Sequence, residues 1–187
     1  MRKVLATAVL LALSAPAFAD GLRIEVTGEA EGVVEIDLFE ETAPAHVEQI
    51  TALATEGAYD GVVFHRVIDG FMAQTGDVAF GDSTDDGFDM RRAGTGGSDR
   101  PDLPAEFSDS LSFERGVVGM ARSNDPNSAN SQFFIMFAPA PHLNGLYTIV
   151  GEVTSGMEVV DAIKRGSGNS GAVVGAPDTM ASVTVID

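Results

Sequence analysis

Phe64-His-Arg-Val-Ile-Asp-Gly-Phe-Met-Ala-Gln-Thr-Gly-Asp77 reads as two short strands broken at Asp69-Gly70, a dipeptide suited to a tight turn. Before the break, alternation puts Phe64, Arg66 and Ile68 on one face and His65 and Val67 on the other. After it, Met72 and Gln74 share a face. One guanidinium, one amide and several flexible apolar groups are thus gathered within a few residues. Alone, such a hairpin is more simply read as core carrying an incidental Arg, so any functional meaning depends on the flanking chain.

Towards the N-terminus, Leu22–Thr27 and Gly32–Leu38 alternate as half-buried antiparallel strands. Thr42-Ala43-Pro44 opens a helix to about Thr55, with a hydroxyl in the capping region and proline in the first turn. Val47, Ile50, Leu53 and Ala54 form its apolar stripe, and Gly57 stops it. Beyond the hairpin, Val78–Glu106 has little periodicity and many Gly and Asp, and a loop of this length is uncommon in a compact domain. Its Gly94-Thr-Gly-Gly97 lacks the Lys-Ser/Thr ending and helical setting of a phosphate-binding loop. Strand signals return at Gly116–Ala121, Ser131–Phe137, Tyr147–Val153 and Ala181–Ile186. Met157–Arg165 reads as a second short helix, with Lys164 and Arg165 as helix-end charges. About eight strands and two helices without regular βαβ alternation imply a mainly β fold, a closed or nearly closed antiparallel barrel.

The chain of 187 residues suits one domain. Arg2 and Lys3, the apolar run Val4–Leu13 and the small-x-small site Ala17-Phe18-Ala19 have the order of a secretory signal peptide. The expected division is a signal over residues 1–19 and a single mature domain over 20–187. The apolar run is shorter than the roughly 20 residues that span a bilayer, so no membrane anchor is expected after cleavage. The short, prokaryote-like signal suggests a periplasmic destination, full secretion being the other possibility. No cysteine occurs, which excludes disulfides, a lipidated N-terminal cysteine and cysteine-based zinc sites. His46, His65 and His142 do not have ligand spacing, so no metal is expected.

The net charge is −17. Of the 11 basic residues two, Arg2 and Lys3, lie in the signal, which leaves 9 against 28 acidic residues and a mature charge of −19. So acidic a surface repels nucleic acid and anionic lipid, which are bound mainly through Lys and Arg.

Covalent catalysis finds no support: there is no Cys, no Gly-x-Ser-x-Gly elbow, and no His recognisably partnered with Ser and Asp. A non-covalent constellation remains. On Ser131–Phe137, Gln132, Phe134 and Met136 share one face, while Phe133, Ile135 and Phe137 share the other. One Phe set can fill a barrel while the other lines a groove. With Arg66, Met72 and Gln74 it would make a shallow apolar hollow rimmed by amides and one guanidinium, suited to an extended peptide.

Over most of its length the mature chain resembles the cyclophilin-type peptidyl-prolyl cis-trans isomerases. The resemblance is carried by Phe64–Asp77, Gly94-Thr-Gly-Gly97, Gly119-Met-Ala121, Asn130-Ser-Gln-Phe-Phe-Ile135 and His142-Leu-Asn-Gly145 leading into Val150-Gly-Glu-Val153. It implies a closed eight-stranded antiparallel β-barrel capped by two α-helices, with the substrate groove outside the barrel. It further implies isomerisation of X-Pro bonds in client proteins during folding, with no cofactor and no metal. Arg66 would be the principal catalytic residue, assisted by Phe71 and Gln74. Phe71, Met72, Phe134 and Leu143 would form the proline pocket, and Gln74, Ala121, Arg122 and Gln132 would line the peptide groove. His65 reads as a buried structural histidine.

Two positions depart from common family patterns. Tyr147 stands where many members have His, and keeps an aromatic wall with a hydrogen-bonding tip. His142 stands where some eukaryotic members have Trp, and loses an indole that helps hold cyclosporin, so weak cyclosporin binding is expected. The partners expected are proline-containing polypeptides, bound by a monomer. The competing reading is a proline-peptide-binding holdase that uses the same groove with little turnover.

Overall fold

A computed structural model describes residues 21–187; the predicted signal and its cleavage site at Asp20 lie outside them. Two alternating strands open the fold, β1 (Gly21–Thr27) and β2 (Gly32–Leu38). They are followed by helix α1 (Pro44–Thr55), β3 (Val62–Val63), β4 (Arg66–Ile68) and β5 (Met72–Thr75). Next come β6 (Val117–Met120), β7 (Phe133–Met136), β8 (Ile149–Ser155), helix α2 (Met157–Ala162) and β9 (Thr179–Ile186).

All named pairings are antiparallel. They form one sheet of nine strands, in the order β3-β9-β1-β2-β8-β6-β7-β5-β4. The sheet begins and ends on strands consecutive in sequence, with only Phe64 and His65 between them. Its ends therefore meet through the chain itself, and a bond from the Thr75 hydroxyl on β5 to the Val63 carbonyl on β3 (3.0 Å) ties them together. The ninth strand, Val62–Val63, corrects the expectation of eight. Two apolar residues buried on both sides carry no alternation to read.

The sheet has two apolar faces, visible as strict alternation. On β7, Phe133 and Ile135 join the main core with Ile24, Ile36 and Phe64, whereas Phe134 and Met136 join a second cluster outside the curl. On β5, Ala73 points to the first and Met72 to the second. Helix α1 places Val47, Ile50, Leu53 and Ala54 in the main core, as its stripe predicts, and lies against β9. Its cap differs from expectation: Ala43 is the N-cap, and Thr42 makes no capping bond. Glu106 supplies the anion from the long loop, accepting from the backbone of Ala45 (3.1 Å) and His46 (3.1 Å).

The phase expected for Phe64 is also corrected. Phe64 lies buried in the main core beside Val67, opposite Arg66. The strict period breaks because Phe64 and His65 form the corner between β3 and β4, where they pair with the C-terminal segment: Phe64 N donates to the Asp178 carbonyl and Val173 N to that of His65. Helix α2 ends at Ala162, so Lys164 and Arg165 are not charges on its last turn. Lys164 pairs with Glu29, and Arg165 pairs with Asp69 and lies over the Phe137 ring.

Candidate active site

Cross-strand register places Arg66 opposite Gln74, Gln74 opposite Phe134, and Phe134 opposite Gly119, a single row across β4, β5, β7 and β6. This row lies on the outer face. The turn after Ile68, closed by Phe71 N donating to the Ile68 carbonyl (3.0 Å), sets Phe71 at its edge. Gly119 leaves room where the row ends. A Cβ there would lie 2.6 Å from atoms of both Phe113 and Phe134. Those rings stack at 5.7 Å, with Phe134 lining the site and the fully buried Phe113 packed behind it.

Arg66 is held from two sides. Its Nε donates to the Ser170 carbonyl (3.0 Å) and its Nη1 to Gln74 Oε1 (3.1 Å), with Met72 Sδ at 3.9 Å from Nη1. Among the described residues, no carboxylate lies within salt-bridge distance of Arg66, and its Nη2 has no acceptor. The Gln74 amide donates onward to Gln132 Oε1 (2.9 Å), and the Gln132 amide to the carbonyls of Gly94 (3.2 Å) and Gly96 (2.7 Å). That glycine loop is anchored in turn by Asp77, whose carboxylate accepts from Gly94 N (2.7 Å) and Gly96 N (2.9 Å). Its N–H groups thus already hold an internal anion, the physical reason Gly94–Gly97 is not a phosphate cradle.

His65 lies beneath this loop. Gly94, at φ +93°, passes so close that a Cβ would meet the imidazole at 2.5 Å. Both ring nitrogens are buried, and neither has a hydrogen-bond partner among the described residues. Burial pushes the His65 pKa down to about 4, against an opposing pull from the Asp77 carboxylate. His65 is therefore neutral at pH 7 and adds no charge beside Arg66.

Nine of the eleven residues singled out in the sequence line one hollow of about 180 Å³: Arg66, Phe71, Met72, Gln74, Ala121, Arg122, Phe134, Leu143 and Tyr147. Gln132 lines an adjoining polar hollow of about 270 Å³, which shares Gln74, Ala121 and Arg122 with the first. His142 lies outside both linings, exposed at the rim and stacked on Phe71 at 5.8 Å. Tyr147 meets Phe134 edge-on at 5.9 Å and carries the Arg122 guanidinium over its face at 4.3 Å. An apolar hollow walled by aromatic rings, beside a guanidinium with free N–H groups, suits a proline ring flanked by a peptide backbone.

The family model described as cyclophilin type peptidyl-prolyl cis-trans isomerase matches residues 22–185. The chain belongs to this family. It is 54% identical to a probable peptidyl-prolyl cis-trans isomerase of Brucella suis, over 99% of this chain and 96% of that one. It is 40% identical to a peptidyl-prolyl cis-trans isomerase of Arabidopsis thaliana, over 72% of this chain and 78% of that one. Among solved structures, a Cryptosporidium parvum cyclophilin crystallised in the presence of the dipeptide Ala-Pro superposes with a TM-score of 0.74 at 27% identity. That match covers 89% of this chain and 99% of the other.

Several groups that shape this cyclophilin's groove were not legible in sequence. Asp77 ends the hairpin motif but carries no sign that it will anchor a loop 17 residues away. The Ser170 carbonyl and the Phe113 ring come from segments with no motif of their own. The crossing of Arg122 over Tyr147 depends on two loops meeting.

Proposed function

We propose that this cyclophilin accelerates rotation about X-Pro bonds in client polypeptides, with Arg66 as the catalytic residue. The observation that carries the proposal is an Arg66 guanidinium braced through Nε and Nη1, with its Nη2 left unpaired, beside the apolar hollow. Amide resonance sets a rotation barrier of about 18–20 kcal/mol. In the twisted transition state the proline nitrogen becomes pyramidal and gains a lone pair. A fixed guanidinium donates to that nitrogen only once resonance is broken, and so binds the transition state more tightly than either ground state. Phe71, Met72, Phe134, Leu143 and Tyr147 grip the ring while the preceding carbonyl swings, and they exclude competing water. Gln74, with its amide turned to Gln132, holds Arg66 in place.

The test is exchange spectroscopy on a proline peptide with wild type and Arg66→Ala. Equal rates would refute the assignment. Negligible turnover by wild type together with suppression of aggregation unaffected by Arg66→Ala would favour the holdase reading instead.

The same proposal includes export through the predicted signal, a periplasmic site of action and a monomeric state, which fractionation and light scattering test. It also includes weak cyclosporin binding, because His142 offers an exposed imidazole at the rim rather than an indole. A tight stoichiometric inhibition curve would overturn that last point.

A further inference from the structure

We infer that Arg122 selects substrates by charge, favouring segments with a carboxylate next to the proline and disfavouring those with a cation there. The inference rests on the isomerase reading above and narrows its substrate class.

The described residues contain nine Lys and Arg, and six of these lie within 4.0 Å of a carboxylate: Arg23, Arg91, Arg100, Arg115, Lys164 and Arg165. Such pairing is expected in a chain with 28 acidic and 11 basic residues. Arg66, Arg92 and Arg122 are the three exceptions; Arg92 lies over the Phe80 ring away from the groove, whereas Arg66 and Arg122 both face it. The linings of its two hollows contain these two guanidiniums and no Asp or Glu. On a strongly negative molecule the groove is locally positive.

Arg122 is held without being neutralised. Its Nε and Nη2 donate to the Leu146 carbonyl (3.1 and 2.9 Å), its Nη1 donates to the Ser123 carbonyl (2.9 Å), and its plane rests on Tyr147. Carbonyl dipoles and a ring face fix its position but leave its unit charge uncompensated. The guanidinium lines both hollows, so a peptide running from one to the other passes it. A carboxylate beside the proline meets an ordered cation whose orientation is already set, and a Lys or Arg there meets a like charge. The acidity of the remaining surface opposes acidic peptides at long range, but at physiological salt that field is screened beyond about 8 Å, whereas contact in the groove is not.

The test is exchange spectroscopy on otherwise neutral peptides with Glu, Gln or Lys immediately before or immediately after the proline. No auxiliary protease, with a specificity of its own, is then needed. At one flanking position the wild-type kcat/KM is expected to follow Glu over Gln over Lys, with a Glu-to-Lys ratio of roughly fivefold, the scale of one partly exposed ion pair gained against one like-charge contact. Arg122→Gln brings the ratio close to one, Arg122→Lys retains most of it, and about 1 M salt abolishes it. A wild-type ratio within twofold at both positions overturns the inference, as does a ratio unchanged in Arg122→Gln. The neutral Gln peptide separates the two readings. If it is not accelerated, the isomerase reading itself fails; if it is accelerated without a charge order, only the selectivity of Arg122 fails.

Discussion

Gln74 Oε1 lies 3.1 Å from Arg66 Nη1, across a directly opposed pair of residues on β4 and β5. The other end of the same amide donates to Gln132 at 2.9 Å. Gln74 therefore cannot turn without breaking a bond at each end, and Arg66 has its Nη1 edge fixed before any substrate arrives. Preorganisation of this kind is what lets a single donor act on a transition state.

Removal of that donor is expected to lower kcat/KM by about 100- to 1000-fold. Arg66→Ala should show the loss mostly in kcat, because the hollow that binds the ring remains. Gln74→Ala leaves the guanidinium present but loose, and about a tenfold loss is expected, again chiefly in kcat. Single-turnover and steady-state exchange measurements separate these. Equal KM increases with unchanged kcat would assign Arg66 to ground-state binding instead.

Gly119→Ala should narrow the site without touching Arg66. The added methyl lies 2.6 Å from both Phe113 and Phe134, so at least one ring must move. Overpacking of this kind costs about 1–3 kcal/mol of stability. If Phe134 moves into the hollow, KM for proline peptides rises. An unchanged KM would mean that Phe113 absorbs the shift.

Glu106→Gln should weaken the start of α1. The carboxylate accepts from two backbone N–H groups and lies 2.6 Å from Nδ1 of fully buried His46. Loss of its charge is expected to cost about 1–2 kcal/mol, which thermal unfolding would register as roughly 2–8 °C. None of the side-chain hydrogen bonds of Arg66, Gln74 and Gln132 involves α1 or Glu106, so isomerase activity below the transition should be retained.

Acid should destabilise the fold through His65. Its pKa is lowered from 6.5 to about 4 by burial, so the unfolded chain binds the proton more readily than the native one. Above pH 6.5 there is no penalty. Between pH 6.5 and about 4 stability falls as pH falls, and below about 4 this contribution levels off, at a total of no more than about 3 kcal/mol. Urea titrations of wild type and His65→Asn across this range should diverge, with the flatter profile for the variant. Parallel profiles would mean that His65 titrates normally.

Much of the architecture was legible because it rests on local pattern. The alternation on β1, β2 and β7, the stripe on α1, and the turn after Ile68 all depend on residues a few positions apart. Where the pattern failed, a distant partner had taken over. Phe64 left the expected face because residues 173–178 pair with the corner that contains it. Thr42 did not cap α1 because Glu106, some sixty residues on, reached the helix first. The second helix ended early, and Lys164 turned instead to Glu29.

The sequence by itself determined which side chains were available: a lone Arg among apolar groups and amides, the motifs shared with a family, and a strong excess of negative charge. Tertiary structure alone decided how they meet. The row Arg66–Gln74–Phe134–Gly119 joins four strands that are not all neighbours in the chain. The braces at Ser170 and Asp77, and the bare cation of Arg122 over Tyr147, depend on loops brought together by the curling of the sheet. Local periodicity reports which face a residue occupies, but a hydrogen bond between residues a hundred positions apart exists only once the whole sheet has folded.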